Sequence, residues 1–135
     1  MSSAKQLMGA KVLVADDERD VCETAMDLLP GCEVEVAASY ADAKAKLSTG
    51  RYDVAVIDLM GVRGYDLLED FAGRMPCVVL TAHALSAADL ERSRAAEAVL
   101  YVPKDEISRL GEYLAKVLLV KALAPAQPGP REPGA

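Results

Sequence analysis

The sequence predicts an α/β fold, a doubly wound five-stranded parallel sheet in the order 2-1-3-4-5 with helices on both faces. Three observations point there. Short Val-rich runs alternate five times with helix-like stretches. Those runs are apolar throughout instead of alternating, as strands buried on both faces are. The chain is 135 residues long with 52% apolar and 27% charged residues, enough for one buried core and little more. Consecutive β-helix-β units cross over right-handedly, so their strands lie parallel and their helices cover both faces.

The elements follow in order. Lys11 to Ala15 (KVLVA) is the first strand, and Arg19 to Leu29 the first helix, stopped by Pro30 and Gly31. Val34 to Ala37 forms the second strand. Ala41 to Leu47 is the second helix, with Ser39 as N-cap and Gly50 just past its end. Val54 to Ile57 (VAVI) is the third strand, Tyr65 to Ala72 a third helix closed by Gly73, and Cys77 to Leu80 (CVVL) the fourth strand. Ala87 to about Ala96, opened by Ser86, reads as the fourth helix, and Val99 to Val102 (VLYV) as the fifth strand. A last helix from about Glu106 to Ala124 carries Ile107, Leu110, Leu114, Val117, Leu118 and Lys121 at helical spacing, with Asp105 as N-cap. Residues 10–124 are expected to form the domain, and 125–135 (PAQPGPREPGA) a disordered Pro/Gly-rich tail.

Composition narrows the function. No apolar run reaches the roughly 18 residues of a spanning helix, and MSSAKQLMGAK lacks the apolar core of a signal peptide, so a cytoplasmic protein with no membrane partner is expected. Cys22, Cys32 and Cys77 are an odd set without metal-ligand spacing and read as reduced thiols. A net charge of -6 argues against direct DNA binding, which clustered Lys and Arg would drive.

In this strand order the binding crevice opens at the carboxyl ends of strands 1 and 3. Asp16 and Asp17, with Glu18 next, leave strand 1, and Asp58 leaves strand 3. Two carboxylates about 4 Å apart repel by roughly 4 kcal/mol at an effective dielectric near 20, so the cluster wants a cation, and hard oxygen ligands suit Mg²⁺. Thr81 ends strand 4 and Lys104 follows strand 5, so acids, hydroxyl and ammonium converge on one rim. Singly, an Asp after a strand is usually a turn former. Together these are the parts that phosphoryl transfer to an aspartate needs: a carboxylate nucleophile, a metal, a hydroxyl donor and a fixed cation.

KVLVADDE, VAVIDLM, VVLTAHA and LYVPK, in this order and at strand ends, resemble the receiver domain of two-component response regulators, a flavodoxin-like fold, over about residues 10–123. The resemblance implies that Asp58 accepts a phosphoryl group from a histidine kinase or phosphotransfer protein. Asp17, Asp58 and the Met60 carbonyl would bind Mg²⁺, with Asp16 acting through a water. Thr81 and Lys104 would hold the phosphoryl oxygens, Thr81 and Tyr101 would form the switch, and Met60 and His83 would modulate the phosphoryl lifetime. It implies no external substrate, only the domain's own phosphoryl transfer and dephosphorylation. Output would pass to a downstream protein, as no output domain follows Ala124, by a face built from residues near Leu85 to Arg94, Leu100 to Pro103 and Ile107 to Leu118. The same fourth helix, fifth strand and last helix could form a homodimer seam, and Leu119, Val120 and Leu123 read equally as core wrapping or as that seam.

Two departures from the family pattern stand out. The loop LMGVRG after Asp58 is short and lacks the usual proline, which predicts a stunted third helix. Pro103 precedes Lys104 where the family has a proline after the lysine, so the peptide bond after Lys104 is expected to be trans. Rival readings fare worse. A haloacid-dehalogenase-type phosphatase would carry an acid two residues after the nucleophile, where Met60 stands, and a Rossmann dinucleotide binder would carry a glycine-rich turn in place of Asp16 and Asp17. The remaining alternative is a pseudo-receiver, an interaction module that no longer uses phosphorylation.

Overall fold

The computed structural model describes residues 7–82, 91 and 100–123. Its strands are β1 (Lys11–Ala15), β2 (Glu33–Ala37), β3 (Val54–Asp58), β4 (Cys77–Thr81) and β5 (Leu100–Pro103). Its helices are α1 (Arg19–Leu28), α2 (Tyr40–Thr49), α3 (Gly64–Phe71) and α4 (Leu110–Leu123), the last preceded by a 3₁₀ segment at Lys104–Arg109. The sheet is parallel throughout, in the order β2-β1-β3-β4-β5, as the alternation predicts. The expected stretch 87–96, His83 and the tail 125–135 lie outside the described residues, apart from Glu91.

Burial tracks position in the sheet. Every residue of β3 and β4 is buried, whereas edge strands β2 and β5 are partly exposed. Alternate side chains supply two cores. Leu13, Ala15, Ala55, Ile57, Cys77 and Val79 meet Ala43 and Leu47 of α2 and Leu67, Leu68 and Phe71 of α3. Val12, Val14, Val54, Val56, Val78, Leu80 and Val102 meet Cys22 and Ala25 of α1 and Leu110 and Leu114 of α4. Burying each such side chain contributes about 1.5–3 kcal/mol, which is what holds a sheet with so few side-chain polar links. The three thiols are free, Cys22 and Cys77 buried, and burial pushes that of Cys77 up to about 12. No helix among the described residues is long and apolar enough to cross a membrane.

Local chemistry explains the helix starts. The Ser39 hydroxyl accepts from the Asp42 amide at 3.1 Å, capping α2 as expected. The stunted α3 is confirmed at eight residues. It starts hard against β3: a Cβ on Gly64 would lie 2.7 Å from the Asp58 carbonyl oxygen and from the Leu59 Cα, backbone atoms that cannot yield. Arg63 turns into it in the left-handed region at φ 56°, held by its guanidinium 4.1 Å over the Tyr40 ring and by Nε donating to Asp66 at 2.8 Å.

The start of the last helix differs from expectation. Asp105 does not cap a helix beginning at Glu106; Lys104–Arg109 is 3₁₀, and Glu106 leaves helical angles at φ -108°, ψ 17°. Lys104 is drawn back to the acids at the carboxyl end of the sheet, and the Tyr113 hydroxyl donates to Glu106 at 2.7 Å, so the regular helix waits until Leu110. Lys121, at helical spacing with the apolar positions, is exposed, with its ammonium 3.3 Å from the Asp53 carbonyl oxygen. Leu119 and Val120 are also exposed, so they do not wrap the core. All described peptide bonds are trans, including that after Lys104.

Candidate functional site

Parallel strands end together, so the residues leaving β1, β3, β4 and β5 meet on one rim. Asp16 leaves β1 fully buried; its Oδ1 accepts from the Glu18 amide at 2.8 Å, a turn that aims Asp17 outward and starts α1. Asp58 ends β3, 4% exposed. One carboxylate oxygen from each of Asp16, Asp17 and Asp58 lies within 4.8 Å of the other two, so the structure brings the predicted acids together. Thr81 is buried at the end of β4, one residue past Leu80, the register partner of Asp58.

Lys104 closes the rim from the β5 side. Its ammonium stands 3.0 Å from Asp16 Oδ2, 3.3 Å from Asp58 Oδ1 and 3.5 Å from Glu18 Oε1. The displaced proline therefore does not remove the lysine from the site. Burial pulls the Lys104 pKa down, but Asp16 and Asp58 outweigh it and the net shift is upward. Burial pushes the Asp16 carboxyl up, more than the Glu18 amide and Lys104 pull it down. Asp16 Oδ2 meets Lys104 as an ion pair without a well-directed hydrogen bond, and has no other partner among the described residues. Among the described residues three carboxylates thus share one ammonium, and that of Asp17 lies beside them.

The Asp58 carboxylate is held at both oxygens. Oδ1 faces Lys104, and Oδ2 accepts from the Gly61 amide at 2.8 Å. A Cβ on Gly61 would collide with both Asp58 Oδ2 and Asp17 Oδ1. The bare Gly61 thus lets two negative oxygens crowd against the loop, and among the described residues a buried Asp16 oxygen lacks a hydrogen bond. Donors of this kind, all hard oxygens and in excess of positive charge, fit a small divalent cation such as Mg²⁺.

The remaining predicted residues divide. The Met60 side chain is 76% exposed, and its thioether is no ligand for a hard cation, so only its main chain could serve there. Tyr101 pairs in register with Val79 and packs against the α2–α3 core, and its buried hydroxyl has no partner among the described residues. His83 lies outside the described residues. Sequence reading missed two contributors. Glu18 pairs with Lys104, a role its place next to two acids could have suggested, and Gly61 makes room for Asp17 and Asp58, signalled only by a glycine three residues after Asp58.

Comparison with known proteins agrees with this geometry. The chain is 37% identical over 105 residues to the DNA-binding transcriptional activator DevR/DosR of Mycobacterium tuberculosis, covering 70% of this chain and 48% of that protein. The chain thus spans about half the length of that relative. Among solved structures, it resembles a CheY-like response regulator receiver domain protein from Methanospirillum hungatei JF-1, at 22% identity and TM-score 0.72, over 84% of this chain and 98% of that one. The chemotaxis response regulator CheY4 of Vibrio cholerae gives 23% identity and TM-score 0.72, over 82% and 99%. A match to the response regulator receiver domain family extends over residues 12–115, from the start of β1 into α4 and across all four elements that build the rim, and the chain belongs to that family.

Proposed function

We propose that this receiver domain is a phosphorylation-dependent switch of a two-component or phosphorelay system, with Asp58 as its phosphoacceptor. The carrying observation is the divided Asp58 carboxylate, with Oδ1 toward the buried Lys104 ammonium and Oδ2 toward Asp17 and the Gly61 amide. In that orientation Oδ1 is the nucleophile. It attacks phosphorus in a phosphohistidine of a kinase or phosphotransfer protein; the P–N bond breaks, its electron pair returns to the imidazole, and an acyl phosphate forms on Asp58. Lys104 then exchanges a carboxylate partner for a phosphoryl oxygen, and the Thr81 hydroxyl donates to another.

Asp17, Asp58 Oδ2 and the Met60 carbonyl would hold Mg²⁺, with Asp16 acting through a water. When bound, that ion neutralises charge on the transferring phosphoryl group. Phosphorylation adds roughly two negative charges. Thr81 and Lys104 lie on β4 and at the entry to the 3₁₀ segment, so drawing them inward biases the β4–β5 side, with Tyr101 as the aromatic that turns. Met60 and His83 would tune the lifetime of the phosphoryl group, as the resemblance implies. Signalling passes through protein contact in the cytoplasm. The net charge of -6 disfavours direct DNA contact by these residues, whatever the DNA-binding DevR/DosR does with the part of its length this chain does not span.

The test uses acetyl phosphate as donor. Wild type should gain one phosphoryl group by intact mass in Mg²⁺ and none with chelator, and Asp58→Asn should gain none. Equal labelling of Asp58→Asn would place the acceptor elsewhere, and a wild type that takes no label would leave a pseudo-receiver.

A further inference from the structure

Resting on the proposed cation-dependent phosphoacceptor, one more residue acquires a role. Gly64 is fixed against the end of β3 by backbone that cannot yield, and its amide donates to the Leu59 carbonyl at 3.0 Å. Only Leu59–Arg63 remain to turn the chain from β3 into α3, and so short a turn draws Gly61 into the acidic rim. There its amide donates to Asp58 Oδ2 at 2.8 Å. A methyl group in place of one Gly61 hydrogen would stand against Asp17 Oδ1 and Asp58 Oδ2 together, closer than any nonbonded contact. A side chain at 61 would therefore push apart the two oxygens that a shared cation would have to bridge.

We propose that Gly61 is the positioning residue of the cation site: its missing side chain lets Asp17 Oδ1 and Asp58 Oδ2 lie together against the loop, and its amide holds Asp58 Oδ2 on that side and leaves Oδ1 to Lys104. The requirement is steric, not conformational. Gly9 is the described glycine with positive φ, so the backbone at Gly61 is one that alanine can adopt. The atoms a methyl would strike are ends of side chains, and Asp17 is exposed and free to turn into solvent, whereas Asp58 is confined between Lys104 and the Gly61 amide. Gly61→Ala should thus evict Asp17 from the cluster without unfolding the domain.

The test is Mg²⁺ affinity measured by ligand-induced thermal stabilisation of the full chain, together with amide NMR. Wild type should be stabilised by Mg²⁺; Gly61→Ala should melt within a few degrees of wild type in chelator yet bind Mg²⁺ at least tenfold more weakly. Wild type that binds Mg²⁺ while Gly61→Ala binds it equally well would overturn the role of Gly61 and leave the phosphoacceptor reading standing. Wild type that binds no Mg²⁺ would overturn both. Should the variant not fold, Mn²⁺ broadening of wild-type amides decides: the Gly61 amide should be among the first lost, and its survival after Asp17 and Asp58 have broadened would contradict the assignment.

Discussion

The two ends of the sheet handle charge in opposite ways. Toward the amino ends of β1 and β3, the acids Glu35 and Asp53 are answered. Glu35 pairs with Lys11 at 3.7 Å and accepts from the Tyr52 hydroxyl at 2.6 Å. Asp53 accepts the Lys11 amide at 2.8 Å, and its own carbonyl oxygen takes Lys121. At the carboxyl ends, Asp17 joins Asp16, Glu18 and Asp58, which among the described residues share Lys104 alone, and a buried oxygen of Asp16 has no hydrogen bond there. One end uses polar groups to tie strands together. The other carries a charge excess that costs stability and makes sense only if something positive arrives. A paired acid is thus no mark of function; an unmatched one is.

The largest effect that could break this contrast comes from Lys104. Its side chain is 16% exposed, and removing it leaves carboxylates facing one another. Lys104→Met should cost about 2–3 kcal/mol without metal, below the roughly 3–5 of a fully buried pair, and Mg²⁺ should restore most of it. Because the folded pKa of Lys104 is raised, its stabilisation is complete below the ordinary value of 10.5 and fades only as pH climbs through the raised one. Denaturant unfolding of both proteins with and without Mg²⁺ checks this; a loss that Mg²⁺ leaves untouched would mean that Lys104 is structural.

A smaller effect belongs to the matched end. Burial, then the Glu35 hydrogen bond, push the Tyr52 phenol up to about 12 from 10.0. Tyr52→Phe should lower the melting temperature by a few degrees and leave Mg²⁺ stabilisation unchanged. The wild-type advantage should be present below pH 10 and disappear as pH rises from there through about 12, the range over which the phenol loses its proton. A change in Mg²⁺ response on this substitution would erase the distinction between the two ends.

What was legible in the sequence follows from how directly one dimension maps onto three. VAVI and CVVL have no polar face, so they could only be central strands, and Asp16, Asp17, Asp58 and Thr81 close their strands, so strand order alone gathers them. The start of the last helix was illegible because Lys104 answers to acids far away in sequence, a pull that helix propensity does not register. Lys121 sits at core spacing but reaches Asp53, since a long ammonium stem escapes a buried stripe. Gly61 was illegible because its contribution is the lack of a side chain where two carboxylates are brought together only by the fold.

The central claim is that the acidic rim is a charge excess awaiting a cation, and Asp17→Asn tests it most directly. This change removes a metal ligand and a repelling charge in one step, while keeping the shape of an exposed side chain. In chelator the variant should be more stable than wild type, by about 1 kcal/mol given the screening at an exposed site, and in Mg²⁺ the order should reverse, because only wild type is stabilised by the ion. A variant that is no more stable than wild type in chelator, and is stabilised by Mg²⁺ as strongly as wild type, would contradict the account.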